Sequence, residues 1–100
     1  MTEAKFWNYG FHIKGHSTKT ARDNTGRTLC AAVSSAAYMA ANTITDVIGD
    51  KARIEVSDGE MFFETENPSD KTVTVLKGLK LHLSELSKDY GKRLIVISEV

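Results

Sequence analysis

The chain has 100 residues, of which 41% are hydrophobic, with 13 basic and 13 acidic side chains that balance at neutral pH. This length predicts one compact domain over residues 1–100, and the charge balance argues against a direct nucleic-acid partner or an anionic membrane surface. A single cysteine excludes an internal disulfide, and we see neither a signal peptide nor an apolar run of roughly 18 residues. We therefore expect a cytoplasmic protein.

The first quarter of the chain predicts strand structure followed by a loop. Residues 4–17, AKFWNYGFHIKGHS, are rich in aromatic and β-branched side chains and are interrupted by Asn8 and Gly10, which favours two short strands. Residues 17–28, STKTARDNTGRT, are polar and aperiodic, which indicates an exposed loop.

Two helices, a hairpin and a last strand are predicted next. Apolar residues recur at helical spacing from Leu29, with Thr28 as the expected N-cap and Gly49 as the stop. Asp58-Gly59 between β-prone runs predicts a hairpin with a type I′ turn. Pro68 suits the first turn of a second helix, which we expect to end at Gly91. Residues 93–100 read as a strand.

These elements predict an α+β fold in the order β(β)-loop-α-β-β-α-β. The sheet is expected to be mixed or antiparallel, with two helices covering one or both of its faces.

One stretch contains residues suited to catalysis. Cys30 falls at the second or third position of the predicted helix, where unpaired N–H groups favour a thiolate and could hold an oxyanion. His16, after Gly15, is the candidate base. The structural alternative is that Cys30 is a buried small residue and His16 an ordinary loop histidine.

A set of residues ahead of the predicted hairpin and second helix forms one pattern: Gly15, His16, Cys30, Ala31, Ala32 and Ser34. Together with those two elements, this pattern resembles the ribosomal-processing cysteine protease family Prp. The resemblance implies that Cys30 is the nucleophile and His16 its base. It also implies a cytoplasmic endopeptidase, usually dimeric, that removes the N-terminal extension of large-subunit ribosomal protein twenty-seven. Relatives in phages act on structural proteins of the virion. The alternative function is a non-catalytic ribosome- or phage-associated binding module of the same fold.

The segment from His16 to Cys30 departs from the family pattern in three ways. The interval between His16 and Cys30 is two residues longer, Thr18 replaces a glycine, and Arg27 stands where an acidic residue is expected. Asp23 could take over part of that acidic role. We expect substrate contacts from Gly15, Ser34, Asp23 and Arg27, and the basic residues Lys14, Lys19, Arg22 and Arg27 would form a basic rim.

No metal or cofactor is expected. His12, His16 and Cys30 could in principle supply three ligands, but the chain has no paired C-x-x-C motif and no second cysteine. His82, between two leucines of the second predicted helix, is expected at a solvated or boundary position.

Overall fold

The computed structural model describes residues 1–16 and 22–99, which form a five-stranded sheet with two long helices. The strands are β1 (Thr2–Trp7), β2 (Gly10–Gly15), β3 (Ala52–Ser57), β4 (Glu60–Thr65) and β5 (Leu94–Ser98). The helices are α1 (Asn24–Asn42), continued by a π-helical segment (Thr43–Ile48), and α2 (Asp70–Tyr90), continued by a short 3₁₀ turn (Gly91–Arg93). The predicted α+β class and element order are confirmed.

The sheet is mixed and has the strand order β3-β4-β2-β1-β5. β1 pairs with β5 in parallel, and the other three pairs are antiparallel. Because side chains alternate between the two faces of a strand, β1, β2, β4 and β5 each direct core residues to one face of the sheet, whereas β3 is exposed after Ala52. Both helices pack on the face that carries these core residues.

The core lies between that inner face and the helices. Phe11 and Phe63 stack at 5.2 Å between ring centroids, and both are fully buried. Leu29 and Ala37 of α1 and Leu83 of α2 complete the same apolar cluster. The small side chains Ala37, Ala40 and Ala41 of α1 are buried in this cluster.

α1 begins earlier than predicted. Its N-cap is Asp23, not Thr28, and the carboxylate of Asp23 accepts a hydrogen bond from the N–H of Gly26 at 3.0 Å. The second carboxylate oxygen of Asp23 pairs with Arg93 at 2.6 Å. An aspartate that caps the helix and is also held by an arginine from the other end of the chain stabilises a helical turn where composition indicated a loop. Residues 17–21 of the predicted loop lie outside the described residues.

The hairpin between β3 and β4 has the predicted two-residue connection, since Ser57 pairs with Glu60. The turn type is not the predicted I′. Gly59 has a φ of +74°, whereas Asp58 has a negative φ, and a type I′ turn needs positive φ at both central residues. Only the residue without a Cβ adopts the left-handed conformation here.

α2 begins at Asp70 with Ser69 as its N-cap, so Pro68 precedes the helix and is not in its first turn as predicted. The carboxylate of Asp50 accepts hydrogen bonds from the Ser69 backbone N–H, the Ser69 hydroxyl and the Thr72 hydroxyl, at 2.8, 2.8 and 2.5 Å. These bonds, with that from Thr72 the most important, lower the pKa of Asp50 below its ordinary value of 3.8. Asp50 therefore fixes the start of α2 to the turn that follows α1.

We expect Asp50→Asn to lower the free energy of unfolding at neutral pH. A carboxyl whose pKa is lowered by folding stabilises the native state above its unfolded-state pKa, and this contribution is lost as pH falls through the folded value. The difference between wild type and variant should consequently narrow below pH 3.8. Urea unfolding of both proteins at a series of pH values measures this difference in the free energy of unfolding. Asp46→Asn, at an exposed position in the π-helical segment before that turn, is the control and should show a smaller difference.

Candidate active site

A cleft lies between α1, the end of β2 and the β3–β4 turn. It has a volume of about 260 Å³, and both His16 and Cys30 line it. The two residues are fourteen positions apart in sequence and reach the cleft from different elements, His16 from the end of β2 and Cys30 from α1. The fold therefore brings together the two side chains that the sequence singled out.

His16 follows the last residue of β2, and neighbouring strands fix its backbone. The N–H of Gly15 donates to the carbonyl of Gly59 at 2.8 Å, and the amino group of Met1 donates to the carbonyl of His16 at 2.6 Å. The imidazole is 57% exposed, and its Nε2 lies 4.0 Å from Oδ2 of Asp58. A solvent-accessible imidazole on a fixed backbone is suited to proton transfer.

Cys30 is the seventh residue of α1 and is half-buried. The predicted second or third position is wrong, because the helix begins at Asn24. Only the first four N–H groups of a helix lack a partner within the helix, so the thiol is not at the helix start and those groups do not surround it. The argument for an oxyanion hole at the start of α1 therefore does not hold.

The walls of the cleft near Cys30 are largely apolar. Val33, Ala37 and Tyr38 of α1 face Val56 of β3 across it. Tyr38 and Val56 are 44% and 52% exposed, which is high for such side chains. An apolar cleft that is open to solvent suits the side chains of a bound peptide.

The predicted basic rim is not present around the described part of the cleft. Its charged lining residues, apart from His16, are Asp58 and Glu60. Lys14 is directed to the outer face of the sheet, as its alternation with the buried Ile13 requires. Arg22 is exposed before the start of α1, and Lys19 lies outside the described residues.

The remaining predicted site residues divide between the cleft and other places. Gly15 and Ser34 line the cleft, and Ser34 lies one helical turn beyond Cys30 as predicted. Asp23 is occupied in capping α1 and pairing with Arg93. Arg27 is exposed and hydrogen-bonds to Asn24. Substrate binding by these four residues stays a prediction. Of the four, Gly15 and Ser34 line the cleft.

The other two histidines lie elsewhere. His12 is on the outer face of the sheet, where its Nε2 is 2.5 Å from Glu60 Oε2, so it does not join His16 and Cys30. Within residues 1–16 and 22–99 there is no group of three or more His, Cys, Asp or Glu side chains arranged to hold a metal. His82 is exposed on α2, as predicted.

Asp58 and Gly59 line the cleft, although the sequence predicted only a turn for them. The register pairs Ile13 with Met61 and Lys14 with Glu60. Continued for two residues, it brings His16 opposite Asp58. The pairing of β2 with β4 was not predicted, and without it the turn could not be placed beside the histidine.

A thiol and an imidazole on the wall of one open cleft are the functional groups that a cysteine protease uses. The chain matches the sequence model of the cysteine protease Prp family over residues 1–95, and it belongs to that family. It is therefore a cysteine protease, and the family resemblance found in the sequence is confirmed. A comparison with curated protein sequences finds no match. Neither helix of the described residues has the length and apolar composition needed to cross a membrane.

Several crystal structures share the fold across 99% of this chain. The essential ribosomal processing protease Prp from S. aureus, with a covalently linked product peptide, superimposes with a TM-score of 0.84 at 14% identity, over 100% of its own chain. The same protease with a substrate peptide gives 0.85 at 12% identity, again over 100% of its chain. The protein SMU.848 from Streptococcus mutans gives 0.81 at 17% identity over 99% of its chain.

Proposed function

We propose that this protease cleaves its substrate with Cys30 as the nucleophile and His16 as the base. The observation that carries the proposal is that both side chains line one solvent-open cleft. They approach it from two elements whose positions are fixed by the sheet and the core. The alternative of a binding module without catalysis gives no reason for an exposed imidazole and a thiol to share that cleft.

The chemistry follows from these two groups. His16 takes the proton of the Cys30 thiol, and the sulfur attacks the carbonyl carbon of the scissile peptide bond. The C–S bond forms, the C–N bond breaks, and His16 gives its proton to the leaving amine. Water then attacks the thioester carbonyl while His16 takes a proton from the water. The C–S bond breaks, the carboxylic acid is released, and His16 returns the proton to the sulfur. No metal or redox partner is needed for this balance.

We propose that the substrate is a precursor of large-subunit ribosomal protein twenty-seven, from which the enzyme removes the N-terminal extension in the cytoplasm. Two similar structures are described as a ribosomal processing protease with substrate or product peptide, which supports a peptide substrate of this kind. A phage structural protein is the second candidate substrate, since phage relatives of the family are expected to act on virion proteins.

The test is incubation of the enzyme with the full-length ribosomal precursor, followed by mass spectrometry of the products. We expect one new N-terminus at the end of the extension, and no cleavage by Cys30→Ala. Equal product from wild type and Cys30→Ala would overturn the assignment of the nucleophile. If the ribosomal precursor stays intact and a phage virion protein is cleaved, the virion protein is the substrate.

Two further measurements address the binding-module alternative and the assembly state. A thiol activated by His16 should react with iodoacetamide at neutral pH faster than free cysteine, and slow labelling would support the alternative. We also propose a homodimer, as the family resemblance implies. Sedimentation equilibrium should give twice the chain mass of 11.0 kDa.

A further inference from the structure

We infer that the β3–β4 turn is the positioning device for the base: Gly59 seats the His16 imidazole and Asp58 orients it, so that Nδ1 is the nitrogen directed to the thiol. The inference rests on the proposed role of His16. It concerns two residues that neither touch the scissile bond nor belong to the motif around Cys30.

The first observation is the contact between the imidazole and Gly59. A Cβ placed on Gly59 would lie 2.5 Å from Nε2, 2.8 Å from Cε1 and 3.2 Å from Cδ2 of His16. The first two distances are shorter than carbon and nitrogen atoms can approach and the third is a tight contact, so a side chain at this position would displace the imidazole from its present place. Two features therefore favour glycine at position 59: the positive φ of the backbone and the closeness of the His16 imidazole.

The second observation is which corner of the ring meets the turn. The three ring atoms nearest to Gly59 are Nε2 and its two neighbours, and the carboxylate of Asp58 also lies on the Nε2 side at 4.0 Å. Since the two nitrogens of an imidazole point in different directions, Nδ1 is left for the thiol. A carboxylate facing Nε2 favours the tautomer in which Nε2 carries the hydrogen and Nδ1 can accept the proton from sulfur.

The third observation is that the turn and the histidine are linked through the backbone. The Gly15 N–H to Gly59 carbonyl bond of 2.8 Å extends the β2–β4 pairing to the residue before His16. The turn cannot shift without moving the strand end that carries the base. Asp58, Gly59 and His16 therefore form one structural unit.

The titratable groups around His16 are few among the described residues. They are Asp58 in the turn, Glu60 on β4, Cys30 and Tyr38 on α1, and the amino group of Met1, which donates to the His16 carbonyl. Glu60 is already paired with His12 on the outer face. Asp58 is consequently the carboxylate that acts on the His16 ring.

The decisive experiment compares Gly59→Ala with Gly49→Ala in cleavage of a substrate peptide. Both glycines have positive φ, +74° and +90°, but a Cβ at Gly49 meets nothing within 4 Å. The backbone strain is thus similar, whereas only Gly59→Ala displaces the imidazole. A misplaced catalytic group costs on the order of 100-fold, so kcat should fall by about that factor in Gly59→Ala and little in Gly49→Ala, with similar Tm values.

Asp58 is tested by Asp58→Asn, with the exposed Asp46→Asn as its control. An exposed ion pair at this distance contributes modestly, so we expect kcat to fall about two- to fivefold with KM unchanged. The difference in kcat between wild type and Asp58→Asn should shrink in high salt, which screens exposed pairs, and Asp58→Glu should recover part of the rate.

The outcomes separate this inference from the proposed function. If His16→Ala is inactive while Gly59→Ala has the kcat of Gly49→Ala and Asp58→Asn has the kcat of wild type at low and high salt, the positioning role is wrong but the assignment of His16 as the base stands. If His16→Ala cleaves at the wild-type rate, the proposed function itself fails.

Discussion

His16→Ala is expected to reduce kcat for peptide cleavage by about 10²- to 10⁴-fold, which is the range that a positioned acid–base group contributes. The loss should fall on kcat, because the exposed ring lies at the edge of the cleft and provides little of its apolar wall. The thermal unfolding midpoint should stay close to wild type for the same reason. Steady-state kinetics with a fluorogenic peptide and a thermal melt measure the two quantities.

The matched control is His12→Ala. His12 is the other histidine of β2 and its neighbourhood, but its ring lies on the outer face against Glu60 and Phe62. Its removal should leave kcat within about a factor of two of wild type. If His12→Ala were as inactive as His16→Ala, the loss would reflect disturbance of the strand and not of the base.

The sequence could identify His16 and Cys30 because their residue types and surroundings match both a chemistry and a family pattern. It could not identify the place of Cys30 in its helix. The Asp23-to-Gly26 stretch has the composition of a loop, and its helical turn is held by the Asp23 cap and by the ion pair of Asp23 with Arg93, seventy residues away. A long-range ion pair leaves no periodic signal in a single sequence, so the electrostatic argument for the thiol began from the wrong helix start.

The same limit applies to the sheet. Aromatic and β-branched side chains predicted the first two strands, and Asp58-Gly59 between β-prone runs predicted the hairpin. Such local signals do not determine which strands become neighbours. The pairing of β2 with β4 connects residues nearly fifty positions apart, and that pairing is what places the turn beside His16. The sequence therefore predicted His16 and Cys30 as site residues, but it did not predict that the β3–β4 turn forms a wall of the same cleft.

The β4 strand offers the strongest test of the core, since two adjacent phenylalanines face opposite sides of the sheet. Phe63 is fully buried and stacks on Phe11, whereas Phe62 lies on the outer face. We expect Phe63→Ala to lower the free energy of unfolding by about 3–5 kcal/mol, from the lost transfer energy and the cavity that remains. That is a large part of the roughly 5–15 kcal/mol typical of a small domain.

Phe62→Ala is the control of identical chemistry. Its ring contacts Trp7 and His12, and the guanidinium of Arg53 lies 5.0 Å above it, so its loss should cost about 1–2 kcal/mol. Urea unfolding of the two variants gives both values under one condition. Equal losses would mean that the helices do not cover the face that carries Phe63. A larger loss for Phe63→Ala follows directly from the alternation that assigns the two residues to opposite faces, and the same alternation directs Ile13 inward and His12 outward on β2.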